Sequence, residues 1–135
     1  MTFISKTNDP FYAILSKCLS GLRGTLALSL TDRRGDIIAQ VAVAESDGAP
    51  SDEEVGLIHV YGQLAYQQAP DRLSEVTVER GARRWRGHRI YVDQDFYDLW
   101  AVCINDPHHA ATLIEISQEL QSLEAQLIDL LRGEE

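Results

Sequence analysis

An α+β domain, with a sheet covered by helices on both faces, is what the sequence predicts, on three observations. The run Leu99-Trp100-Ala101-Val102-Cys103-Ile104 is apolar on both alternating sides, so water should touch neither, as in a central strand. Three other stretches carry helix-start signals followed by apolar seams. Between them lie short alternating segments separated by turn chemistry, the mark of hairpins. A sheet with a doubly buried centre needs covers on both faces, and three helices supply them, giving three layers, α/β/α.

The chain's 135 residues make one domain's worth, 1–135, and 44% hydrophobic with 24% charged residues is near the globular average. No apolar run approaches the ~20 residues of a membrane span, and Met1 to Lys6 lacks the pattern of a secretory signal, so no membrane partner and a cytoplasmic location are expected. Cys18 and Cys103 each fall on an apolar face, which suits buried reduced thiols. A formal charge of −9 argues against a polyanion-binding surface, so no nucleic-acid partner is expected.

Residues 1–8 read as a loose leader. Asp9 then offers an N-cap with Pro10 at the first helical position, and Phe11, Leu15, Cys18 and Leu22 follow on one face, predicting a helix from about Pro10 to Leu22 ended by Gly21 or Gly24. Thr25 to Leu30 and Ile37 to Val43 flank the turn Asp32-Arg33-Arg34-Gly35, a hairpin whose small Ala27 and Ser29 leave room for a close-packed helix. Ala44 to Pro50 reads as a surface loop. Ser51 and Glu54 form an S-x-x-E capping box that opens a second helix, and Pro70 ends it.

That second helix is greasier than one sheet requires. At 100° per residue, Leu57, Val60, Tyr61 and Leu64 make one stripe, expected on the sheet, and Val55, Ile58, Gly62, Ala65 and Tyr66 a neighbouring one, with His59, Gln63, Gln67 and Gly56 marking a polar side. The joint arc is roughly twice the ~100° that a helix lying on its own sheet buries. Something else should cover the second stripe, and Gly62 and Ala65 are small enough to admit another helix.

Val76 and Val78 alternate with Thr77 and Glu79 in a half-buried strand, and Arg83 to Asp93 gives the next. Either Gly81-Ala82 or Gly87 can be the turn between them, which leaves the register open. Asp106-Pro107 supplies the start signal of a last helix with Leu113, Ile116, Leu120, Leu123, Leu127 and Leu130 in a clean seam. That seam matches the first helix, so the two should lie side by side on one sheet face, opposite the second helix.

Catalytic chemistry is not announced. His59, His88, His108 and His109 show no metal-ligand spacing, no G-x-S-x-G elbow occurs, and the Gly81 to Gly87 run lacks the Lys-Ser/Thr of a phosphate loop. No metal or cofactor is therefore expected, and no catalytic residue is marked. Arg80, Arg83, Arg84, Arg86 and Arg89, interleaved with Trp85, form the basic cluster of an acidic chain. They read either as a contact for an acidic partner or as strand arginines meeting local carboxylates.

The element order, together with Gly24 leading into Leu26-Ala27-Leu28, the hairpin Thr31 to Ala39, and Tyr97-Asp98-Leu99-Trp100-Ala101-Val102 before the last helix, resembles the roadblock family of dynein light chains and their bacterial relatives. Gly56 and Gly62 depart from the alanines more usual there. The resemblance covers roughly residues 10–132 and implies a five-stranded antiparallel sheet in the order 2-1-5-4-3 within the topology αββαβββα. It further implies a homodimer joined through the second helix and third strand, non-enzymatic, serving as an adaptor or regulator for a Ras-like small GTPase or another roadblock protein, as in bacterial polarity or motility modules. On that basis Val55, Ile58, Gly62, Ala65 and Tyr66 are the expected dimer contact, Val76 and Val78 the pairing edge, and Arg80, Arg83, Arg84, Trp85, Arg86 and Arg89 a candidate partner surface. A type III secretion chaperone, with three strands before the middle helix and two after, is the alternative; a small-molecule-sensing domain is the second.

Overall fold

In a computed structural model of the chain, residues 3–5, 9–43, 50–68, 75–104 and 112–133 are described. Their elements run β1 (Phe3–Ser5), α1 (Asp9–Ser20), β2 (Thr25–Thr31), β3 (Ile37–Val43), α2 (Asp52–Gln68), β4 (Glu75–Arg80), β5 (Arg83–Val92), β6 (Asp95–Ile104) and α3 (Leu113–Leu131). All strand pairs are antiparallel and the sheet order is β1-β3-β2-β6-β5-β4. Set β1 aside and the other five stand in the expected order 2-1-5-4-3. Three strands follow α2, which does not fit the three-then-two order of the secretion-chaperone alternative.

The leader corrects one expectation. Residues 3–5 are not loose but add a sixth strand, with Phe3, Ile4 and Ser5 paired to Val43, Ala42 and Val41. Backbone groups on the outer side of β3 thereby gain partners, a gain that hydropathy patterning does not register.

β6 lies at the centre between β2 and β5, and its alternation sorts the core into two layers. Leu99, Ala101 and Cys103 point toward α1 and α3, where Leu15, Leu19, Leu28, Leu30, Ile90, Ile116, Leu120 and Leu127 join them. Trp100 and Val102 point toward α2, into a smaller layer with Ala27, Ala42, Val55, Ile58, Val76 and Trp85. Cys18 and Cys103 are buried and free, and burial pushes the Cys18 thiol up to about 12.

Helix starts and turns follow local chemistry. Ser51 Oγ accepts from the Glu54 N–H at 3.1 Å, while the Glu54 carboxylate turns outward to Arg83 at 3.2 Å. α3 is capped by Thr112, whose hydroxyl accepts from the Glu115 N–H at 3.1 Å, so its start lies beyond the expected Asp106-Pro107; those two residues, His108, His109 and Pro70 fall outside the described residues. The β4–β5 register is settled at Gly81-Ala82: Gly81 takes φ +60°, and Arg80 faces Arg83 across the turn. Gly87 is an in-register strand residue opposite Val76 and Trp100. Among the described residues, no helix is long and apolar enough to cross a membrane.

Candidate functional site

α2 carries both features the sequence marked, with their roles exchanged. The stripe expected to meet a second chain faces its own sheet: Val55 and Ile58 are fully buried, Gly62 is buried, and Ala65 and Tyr66 are half-buried against the same layer. Val76 and Val78 of β4 pack there too. The stripe expected on the sheet is the outward one, with Val60 53%, Tyr61 46% and Leu64 50% exposed and Leu57 partly so. Counting apolar residues does not choose between the stripes, because Leu57, Val60, Tyr61 and Leu64 are together about as large as Val55, Ile58, Gly62, Ala65 and Tyr66.

Shape and polarity explain the exchange. A side chain at Gly62 would place its Cβ 2.9 Å from the Trp100 ring, and one at Gly87 2.6 Å from the same ring, so Trp100 is held between α2 and β5 where both lack side chains. The Trp100 ring meets Trp85 edge-on at 6.4 Å. Gly62 thus admits a tryptophan of its own sheet where the sequence suggested a neighbouring helix. His59, read as a polar-face residue or part of a contact, is buried.

His59 belongs to a cluster no motif announces. Arg89 donates from Nε and Nη2 to the two Asp98 oxygens at 2.8 and 3.0 Å, with both residues buried. The guanidinium lies between the Tyr66 ring at 3.8 Å and the Phe96 ring at 3.9 Å. His59 Nδ1 is 3.8 Å from Asp98 Oδ2, its Nε2 is 3.4 Å from Gln63 Nε2, and the Gly35 turn (φ +89°) lies so near the ring that a Cβ there would meet it at 2.8 Å. Burial, more than the neighbouring charges, raises the Tyr66 hydroxyl above its ordinary range. The one clue in the sequence was an aspartate abutting the apolar run.

The arginine cluster separates onto the two sheet faces. Trp85 is wholly buried in the α2 layer and Arg89 sits in the cluster just described. Arg83 pairs with Glu54 at 3.2 Å and Arg84 with Glu79 at 3.1 Å. Arg86 reaches Glu75, Thr77 at 2.7 Å and Ser117 at 3.0 Å. Arg80 is exposed near Glu53 and Glu54. Arg83, Arg84, Arg86 and Arg89 are thus each tied to a carboxylate of their own chain.

Among the described residues, no group of three His, Cys, Asp or Glu could hold a metal ion. The broad open depression beside the β5–β6 turn is lined by Arg33, Asp93, Asp95, Tyr97 and Arg132, and its charges pair with each other, Arg33 with Asp95 at 3.7 Å and Arg132 with Asp93 at 3.2 Å. Among the described residues, β4 is the outermost strand of the sheet at the end away from β1, and α2 packs against it. The exposed stripe of α2 and that edge strand adjoin, forming the candidate interaction surface.

A central β6 flanked by these hairpins, two helices on one face and one on the other, is the roadblock fold. Solved structures similar to this chain include a gliding protein, MglB, from Thermus thermophilus, at 15% identity and a TM-score of 0.70, covering 93% of each chain. Another is MglB with a tetrameric arrangement, at 15% identity and 0.71, again with 93% of each chain covered. A roadblock/LC7 domain from Streptomyces avermitilis matches at 12% identity and 0.60, over 86% of this chain and 96% of that one. No family model and no curated protein sequence matches the chain.

Proposed function

We propose that the protein is a non-enzymatic homodimeric adaptor that regulates a Ras-like small GTPase or engages another roadblock protein. The observation that carries the reading is the outward stripe Leu57, Val60, Tyr61 and Leu64 beside the outermost strand β4. Two half-exposed aliphatics and a tyrosine on one helix face would each gain roughly 1 kcal/mol on being covered, about half the value of full burial. The stripe is symmetric about its middle. Two copies of α2 laid antiparallel set Leu57 of one opposite Leu64 of the other and Val60 opposite Tyr61, so a second copy fits without any change of sequence. The fold's likeness to MglB structures, one with a tetrameric arrangement, supports self-association, and the sequence resemblance supports a GTPase as the further partner.

Ile58 and Val55 are withdrawn from the proposed contact, since a charge at either would unfold the subunit before it tested an interface. Sedimentation velocity across micromolar concentrations should give a dimer for the wild type and a monomer for Tyr61→Glu/Leu64→Glu, with the same thermal midpoint. A wild-type monomer throughout the range would remove the reading. Affinity capture from the native cell with both proteins should recover a Ras-like GTPase with the wild type; recovery of a secreted effector instead would favour a secretion chaperone.

A further inference from the structure

We propose that the buried Arg89–Asp98 pair determines which apolar stripe of α2 faces the sheet, and therefore which stripe the molecule offers outward. α2 carries two neighbouring apolar stripes, Val55, Ile58, Gly62, Ala65 and Tyr66 inward and Leu57, Val60, Tyr61 and Leu64 outward. Hydrophobic transfer is non-directional and does not choose between two apolar stripes of similar size. A directional interaction must select the observed docking.

The ion pair supplies it. Its two hydrogen bonds lock the guanidinium plane, and that plane stacks on Tyr66 at 3.8 Å on the α2 side and on Phe96 at 3.9 Å on the other. Asp98 lies 3.8 Å from His59 Nδ1, one side-chain row around the helix from Ile58. His59 and Tyr66 flank the inward stripe along its length. Were α2 rolled so that Leu57 and Leu64 faced inward, both would swing away, and the charged pair would be left beneath aliphatic side chains with only Phe96 stacked on it. A buried ion pair is a weak source of stability but a strong penalty against a wrong arrangement, and that penalty is its role in this fold. Arg89 and Asp98 are positioning residues: they touch no partner and act through α2.

Why the docking matters rests on the self-association reading above; the docking itself is intramolecular and is tested as such. Ile58→Cys and Leu64→Cys are introduced singly into the full chain and labelled with a maleimide, at a dilution where the chain sediments as a monomer; Cys18 and Cys103 are buried and contribute a slow background. With Arg89 and Asp98 present, the Leu64→Cys thiol should label on the order of tenfold or more faster than the Ile58→Cys thiol. In the volume-matched Arg89→Met/Asp98→Leu background, cooperative urea unfolding should persist while the two rates converge. An Ile58→Cys thiol as well protected there as in the wild type would overturn the proposal and leave the Trp100–Gly62 fit as the sole determinant. Should the double variant unfold, Arg89→Lys decides, because it keeps the charge and loses both the fork and the planar stack. Faster labelling of the Ile58→Cys thiol in that background supports the proposal, and unchanged labelling overturns it. A wild type that is monomeric at every concentration would sink self-association and leave this outcome standing.

Discussion

The two faces of the sheet are built on different principles. Toward α1 and α3 the buried layer is mostly aliphatic, with Leu15, Leu28, Leu30, Leu99, Leu120 and Leu127 all fully covered and His88 buried at its margin beside Glu75 and Glu124. Toward α2 it is thinner and mixed, with two tryptophans beside buried Ser29, Gln40, His59, Arg89 and Asp98. The first face is held mainly by bulk, whereas the second carries a hydrogen-bonded ion pair stacked on Tyr66 of α2. Aliphatic packing is non-directional, while such a pair fixes the groups that touch it.

The largest effect that would test this contrast belongs to the aliphatic face. Leu120→Ala, at a fully buried position, should cost about 2–5 kcal/mol by urea denaturation, because the close-packed layer cannot collapse onto the void. A cost below ~1 kcal/mol would mean the layer is looser than its burial indicates. Gly87→Ala comes next, at about 1–3 kcal/mol, since its Cβ would fall 2.6 Å from a Trp100 ring that Gly62 confines from the opposite side. Both tryptophans lie in the α2 layer, so the emission spectrum should shift with this variant and stay unchanged in natively folded Leu120→Ala.

A smaller, pH-dependent effect separates the two faces again. Glu75 lies on the α3 side of β4; burial works to raise its carboxyl, but hydrogen bonds from Ser117, Gln121 at 2.6 Å and Arg86, with the Arg86 charge, outweigh it and hold the group below its usual range. A depressed folded-state value contributes stability above the unfolded-state value and loses it as pH falls through the folded one. Melting curves should therefore show an acid limb beginning at about pH 5 and running downward, which Glu75→Gln makes shallower. An identical limb in the variant would assign the acid sensitivity elsewhere. Least of all, Leu64→Glu should change monomer stability by no more than ~0.5 kcal/mol in urea denaturation, as its side chain is half in solvent.

Legibility followed the same division. The seam Leu113 to Leu130, the doubly apolar Leu99 to Ile104 and the Asp32–Gly35 turn are local periodicities or turn chemistries, and the structure reproduces each of them. The resemblance ordered the five strands correctly. What escaped depends on residues far apart in the chain: Gly62 is meaningful only beside Trp100, His59 only beside Asp98, and the three residues of β1 only beside Val41 to Val43. The docking of α2 was inverted for this reason, since a helical projection shows two stripes but not which of them a distant tryptophan and an ion pair require. The start of α3 differs for a simpler cause: the Thr112 hydroxyl caps the Glu115 N–H, a local T-x-x-E signal separate from Asp106-Pro107.

The short strand at the N-terminal end has a further consequence for how far an assembly can grow. β1 occupies the rim beyond β3, and β4 is the outermost strand of the opposite rim among the described residues. Two copies related by a twofold through β4 would each turn a guarded rim to the outside, so lateral extension would stop at a closed pair. Removal of the first five residues should lift that stop and turn a self-limiting particle toward open-ended fibres.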